Sequence, residues 1–147
     1  MAMRIAEEFI NVVGPIEPIW DKVVEWKNWP SWDHGMESIT FTGPLQVNAH
    51  GNLKLKDGPK VTLVITELTP LRSYTSEFSF LGTRFVFGHF LTEGNSTDIV
   101  EFRVTVDVDG FLAPLLANIS KPMLTKHLPI WLNNFKAQFE NPAPSLG

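Results

Sequence analysis

Four histidines, one tyrosine and no cysteine set the range of chemistry open to this chain. His34, His50, His89 and His127 match no compact metal-ligand spacing. With no thiolate available, a metal would need histidines converging from separate elements, so neither metal nor cofactor is expected. No nucleophile motif, phosphate loop or dinucleotide fingerprint is present. Proton handling inside an apolar setting remains.

His89 shares a strand face with Phe85, Phe87 and Leu91. If that face points inward, desolvation favours the neutral ring. A neutral imidazole can donate or accept a proton, or orient a ligand carbonyl. It can equally be a half-buried histidine bonded to a neighbour. Tyr74 lies in register with Ser76, Phe78 and Phe80. Its phenol can hold a ligand oxygen, or reach the sheet rim as an ordinary core tyrosine. Arg84 falls on the face opposite His89 and reads as solvated, as do Glu101 and Arg103 on the polar side of their strand. Asp33-His34 follows Trp32 at a position suited to a pocket mouth, with Asp33 read as a helix-end cap. His127 stands between Met123 and Trp131 at helical spacing. The flexible thioether of Met123 suits an adaptable cavity wall or plain core filling.

These residues must be positioned by strands and a long helix. Arg4 to Val13 reads as a first strand, closed by Gly14-Pro15. Pro15 and Pro18 are tolerated at a helix start, and Ile16, Ile19, Trp20, Val23, Val24 and Lys27 follow helical spacing. Trp29-Pro30 is expected to break that helix, with one more short turn over 31–33. Four of the five tryptophans fall between Trp20 and Trp32, so this short aromatic segment must cap something large and apolar.

Six further strands follow, over 38–42, 51–56, 60–68, 72–80, 83–92 and 99–108. Tight turns join several of them: Gly43-Pro44, Asp57-Gly58, Gly82 and Gly94-Asn95. The last strand alternates most cleanly, with Val100, Phe102, Val104, Val106 and Val108 on one face. Phe78, Phe80, Phe85, Phe87, Phe90 and Phe102 exceed what one core layer needs. From about Leu112 to Glu140 the period is helical, with one stripe through Leu112, Leu116, Ile119 and Met123 that Leu128, Trp131 or Leu132, Phe135 and Phe139 continue. Pro122 and Pro129 lie inside it, so a bend or break near 120–122, a milder kink near 125–129 and a movable N-terminal flap are expected.

At 147 residues, 44% hydrophobic and 19% charged, the chain has the profile of one globular domain over 1–140, followed by a disordered tail over 141–147. A net charge of −4 without a basic stripe argues against nucleic acid. No apolar run is long enough for stable membrane insertion, and no signal-peptide core precedes the first strand, so a cytoplasmic setting is expected. Monomer and homodimer are both compatible with the sequence.

The order of elements resembles the Bet v 1-like, START-like (SRPBCC) superfamily, in its polyketide cyclase/dehydrase and lipid-transport branch. The likeness rests on Pro18-Ile19-Trp20, Trp29-Pro30-Ser31-Trp32, the stretch Gly43 to Gly51, Leu68-Thr69-Pro70, Gly110-Phe111-Leu112-Ala113-Pro114-Leu115-Leu116, and the ending Phe135-Lys136-Ala137-Gln138-Phe139-Glu140. It covers nearly the whole chain. It implies an α+β helix-grip fold: a seven-stranded antiparallel sheet around a long C-terminal helix, with two short helices after the first strand. It also implies a small hydrophobic partner, a lipid or polyketide-like molecule, in a cavity between sheet and helix. Trp32, Phe78, Phe80, Phe85, Phe87, Phe102, Ile119, Met123 and His127 would be ligand-binding residues. Two other activities occur in the superfamily: aromatase/cyclase or dehydratase chemistry, for which His89 and Tyr74 would be the catalytic groups, and chaperone activation, in which the domain serves as an interaction module. One fold hosts all three.

Overall fold

The computed structural model describes residues 2–95 and 98–140; the expected tail over 141–147 lies outside the described residues. Seven strands form one antiparallel sheet: β1 (Met3–Val13), β2 (Met36–Thr40), β3 (His50–Leu55), β4 (Lys60–Thr69), β5 (Ser73–Phe80), β6 (Thr83–Glu93) and β7 (Ile99–Gly110). Their order is β1-β7-β6-β5-β4-β3-β2. The meander β2 to β7 therefore closes against the first strand. Register shifts in β1, β2 and β4 add local bends to a sheet that is already twisted.

Helix α1 spans Ile16–Val23 and buries Ile16, Ile19, Trp20 and Val23. It stops short of Lys27. A 3-10 turn covers Trp26–Asn28, and α2 covers Trp29–Trp32. The expected break at Trp29-Pro30 is instead a beginning. Trp29 takes helical angles, φ −54° and ψ −45°, and Pro30 occupies the first turn of α2, where its missing amide hydrogen has no intrahelical partner to lose. Side-chain bonds complete the segment. Trp29 Nε1 donates to Val23 O at 2.8 Å, and Trp26 Nε1 to Gly43 O at 3.0 Å.

Helix α3 (Ala113–Glu140) packs chiefly against β1, with further contacts to β7, β6 and α2. Hydrogen bonds clasp it to α2: Asn28 Nδ2 donates to Gln138 Oε1 at 2.9 Å, and Gln138 Nε2 to Ser31 Oγ at 2.8 Å. The expected break does not occur, because α3 runs continuously through Pro122 and Pro129. Pro122, Asn118 and Thr125 are exposed, so the two carbonyls deprived of a partner, those of Asn118 and Thr125, belong to solvent-facing residues that water can serve.

The buried side of α3 follows the expected stripe in its C-terminal half, through Leu128, Trp131, Leu132 and Phe135, and differs from it in the N-terminal half. It comprises Ala113, Ala117, Leu124, Leu128, Trp131, Leu132 and Phe135, while Leu115, Ile119 and Met123 are exposed. The fully buried side chains of the N-terminal third are the methyl groups of Ala113 and Ala117, with Leu116 partly buried against the core, whereas large side chains anchor the C-terminal half. We expect amides over 113–119 to exchange with solvent at least tenfold faster than those over 130–139, since local opening follows buried contact. Equal protection by hydrogen-exchange mass spectrometry would show a uniformly anchored helix.

The β5–β6 hairpin turns on Leu81 (φ 51°) and Gly82 (φ 70°), the paired positive angles of a two-residue turn, which a leucine adopts rarely. Gly110 (φ 123°) lies so close to the Gly82 carbonyl oxygen that no Cβ fits between them. The hairpin tip and the β7–α3 turn are thus neighbours.

Candidate functional site

Strand register brings the chemistry-bearing residues into one row across the concave face. Tyr74 on β5 pairs with His89 on β6, His89 with Val104 on β7, and Val104 with Glu8 on β1. Directly opposed residues point to the same side of a sheet, and neighbouring strands lie ~4.8 Å apart. Glu8 is half-buried, among inward neighbours Ala6, Ile10 and Val12.

Aromatic rings extend this row into the core. Trp29 stacks on Tyr74 at 5.5 Å and 3°, and Tyr74 on His89 at 4.1 Å and 8°. His89 lies 6.4 Å from Phe102, and Phe102 4.8 Å from Phe135. Trp32 closes the cluster edge-on, 6.0 Å from Phe102 and 5.1 Å from Phe135.

Two polar atoms in this cluster are buried and make no hydrogen bond: Trp32 Nε1 and His89 Nδ1. Burial lowers the His89 pKa to about 4, against a weaker opposing pull from the Tyr74 and Phe87 backbone. The ring is therefore neutral at pH 7. Asp33 ends α2, and its Oδ1 accepts from Gly35 N at 3.0 Å. Burial raises its pKa to about 6, against the lowering effect of that bond. Tyr74 is pushed well above its usual range, first by burial and then by the nearby Asp33 charge. A neutral imidazole, a phenol and a carboxyl poised near neutrality therefore share one apolar interior. Such a set can bind a carbonyl or hydroxyl and can exchange protons with it.

The other expected site residues distribute differently. Phe78 and Phe85 are buried and stack at 5.0 Å. Phe80 and Phe87 are half-buried on the same inward face. His127 is half-buried and stacks on Trp131 at 6.0 Å. Ile119 and Met123 lie on the exposed side of α3, away from the row. Phe90 stands on the outer face of the sheet, its ring against Gly88. Asp33 both ends its helix and reaches the interior. Glu8 went unread, although an acid at the inward parity of β1 is a visible signal. Among the described residues no three His, Asp or Glu side chains are grouped to hold a metal.

Two clefts open at the rim. One, of about 240 Å³, is walled by Trp20, Val24, Trp26, Pro44, Leu45 and Leu68. The other, of about 360 Å³, is more polar and includes Glu17, Arg72 and Glu93. The Trp32–His89–Phe102 cluster lines neither.

No family model and no curated protein matches this sequence. Solved structures do. Norcoclaurine synthase from Thalictrum flavum superposes with a TM-score of 0.72 at 11% identity, covering 97% of this chain and 95% of that one. A START superfamily protein from Mycobacterium smegmatis gives 0.69 at 12% identity, covering 92% and 96%. DynU16, a protein of the dynemicin biosynthetic locus, gives 0.69 at 16% identity over 92% of this chain. This chain spans about half of DynU16, 47% of its length. Sheet order and gripping helix, with these superpositions, show that this chain has the α+β helix-grip fold of these structures.

Proposed function

We propose that the chain binds a small apolar or aromatic molecule bearing a carbonyl or hydroxyl group, between the concave sheet face and α3. The observation that carries this reading is the pair of unpartnered buried atoms, Trp32 Nε1 and His89 Nδ1, on rings that both adjoin Phe102. An unsatisfied buried polar group costs about 1–3 kcal/mol, and a ligand oxygen would remove the cost at Trp32. Access would come through the N-terminal third of α3, where Ala113, Ala117 and a partly buried Leu116 offer the core less apolar contact to lose than the large side chains of the C-terminal half.

An environment-sensitive apolar dye should bind near one-to-one and be displaced by fatty acids or planar polyketides. Trp32→Phe keeps the ring and removes the donor, so it should weaken an oxygen-bearing competitor about tenfold and leave a pure hydrocarbon unchanged, as loss of ~1.4 kcal/mol requires. Equal weakening of both would remove Trp32 as the polar contact. No displaceable dye binding would remove the interior site.

Proton-transfer catalysis is the second reading, favoured by Asp33 with its pKa near 6 beside Tyr74. Norcoclaurine synthase is by name an enzyme on the same fold, and DynU16 belongs to a biosynthetic locus. In that case His89→Ala abolishes turnover of a polyketide-type substrate while the far-UV spectrum stays unchanged. Turnover that survives the substitution would exclude His89 as the acid or base.

A further inference from the structure

Helix α3 is apolar on two opposite sides. One side faces the sheet. Opposite it, Leu115, Ile119, Met123 and Ile130 form an exposed line, at 56%, 64%, 46% and 48%. Lys126 falls within the same line and is exposed. At 3.6 residues per turn these positions share one narrow face, with no described element over it. Beyond the helix start, Phe111 is 90% exposed in the β7–α3 turn, and Leu81 is 59% exposed at the β5–β6 tip. The contact of Gly110 with the Gly82 carbonyl holds these two tips side by side. The tips adjoin the start of α3, and the line runs from there along the helix.

Lys126 is the one charge within this line; Lys121 and Lys136 lie on other sides of α3, and from Phe111 to Phe139 the chain carries these three lysines and no acid, with Glu140 following at the helix end. The nearest acids along β7 are paired: Asp109 with Arg84 at 3.3 Å and Asp107 with Arg4 at 2.9 Å. Glu8 is on the concave face, and Glu7 pairs with Arg103 at 2.9 Å.

We propose that this surface docks reversibly on an anionic lipid bilayer, with Phe111 and Leu81 entering the headgroup layer and α3 lying in its plane. Protruding apolar tips suit a soft medium that closes around them, and a lysine set within the apolar line of a lateral helix suits an anionic interface. A second copy of the chain fits less well, because a twofold contact along this line would bring the two Lys126 ammonium groups towards one apolar seam. No helix among the described residues is long and apolar enough to cross a membrane, so the contact is peripheral. It stands independently of the interior site, since vesicle binding and dye displacement are separate readouts.

The test is flotation of the full chain with vesicles of phosphatidylcholine alone or mixed with phosphatidylserine. Binding to the mixed vesicles should be at least ~tenfold tighter and should weaken with added salt. Phe111→Ser and Ile119→Ser each lose about tenfold on the mixed vesicles, as removal of a buried large apolar side chain predicts. Lys126→Glu loses the preference for phosphatidylserine. All three are exposed positions, and circular dichroism confirms each fold. The absence of cysteine allows a single dye at Ile119→Cys, whose emission should shift to the blue on mixed vesicles alone. No flotation with either vesicle overturns the proposal. So does equal binding by wild type, Ile119→Ser and Lys126→Glu. A dimer that dissociates with Ile119→Ser, without vesicle binding, would assign the surface to a second copy instead.

Discussion

Replacing Phe102 by alanine lowers the stability of the folded chain by about 3–5 kcal/mol, a large part of the ~5–15 kcal/mol available to a domain of this size. Phe102 is fully buried and lies between His89, Trp32 and Phe135. The rings around it come from β6, α2 and α3, so no single element can collapse into the space. Phe102→Leu keeps much of the volume and costs less than about 1.5 kcal/mol. That variant stays folded while loosening Trp32 and His89, so dye affinity should fall while the urea midpoint drops by much less than with Phe102→Ala. Phe90→Ala serves as the control. Its ring lies on the outer face, partly exposed over Gly88, and its removal should cost well under 1 kcal/mol by the same urea titration. Equal losses at Phe102 and Phe90 would show that the inner cluster is not the packed centre.

Much of this arrangement was legible before the structure. The parity of β7 marks Phe102 as inward and Arg103 as outward, because a period of two leaves no other choice once one face is dry. The same parity puts Tyr74 and His89 on the inner face, although not opposite one another. That depends on the two-residue β5–β6 turn, which pins the register. Nothing local says that β1 returns beside β7, so the row from Glu8 to Tyr74 is a tertiary fact. Phe90 shows the limit of composition: a phenylalanine count cannot separate the two faces of a strand, whereas parity can. The N-terminal half of the α3 stripe fails for another reason, while its continuation through Leu128, Trp131, Leu132 and Phe135 is buried as expected. Leu112, Leu116, Ile119 and Met123 have helical spacing, but so do Ala113, Ala117, Leu124 and Leu128, and the sheet meets the second set. Where both sides of a helix are apolar, periodicity cannot say which one is covered. Asp33 was read by its position at a helix end, which is right as far as local geometry goes. Its burial beside Tyr74 comes from the packing of α2 over the sheet.

Removing either titratable group of the site should unmask a pH dependence that the two together conceal. Asp33 is raised by burial from its ordinary 3.8 to about 6, so the folded chain holds a proton there that the unfolded chain releases. Its contribution is fully present below pH 3.8 and is lost as pH rises through 6. His89 is lowered by burial from 6.5 to about 4, so the unfolded chain takes up the proton first. Its contribution is present above pH 6.5 and is lost as pH falls through 4. At ~1.36 kcal/mol per unit each amounts to at most about 3 kcal/mol, with opposite signs over nearly the same window. In the wild type they largely cancel between pH 4 and 6. Asp33→Asn keeps an acceptor for the Gly35 amide and removes the buried charge. It should be more stable than wild type at pH 7 and lose that advantage steadily by pH 4. His89→Gln should match wild type more closely at pH 7 and gain on it as pH falls to 4. Urea midpoints at pH 7, 5.5 and 4.5 check both, and NMR of the His89 ring should show no titration until pH approaches 4. If the Asp33→Asn curve runs parallel to wild type, the Asp33 carboxyl is in water and not beside Tyr74. An His89 midpoint at or above 6.5 would place that ring in solvent and remove it from the interior site.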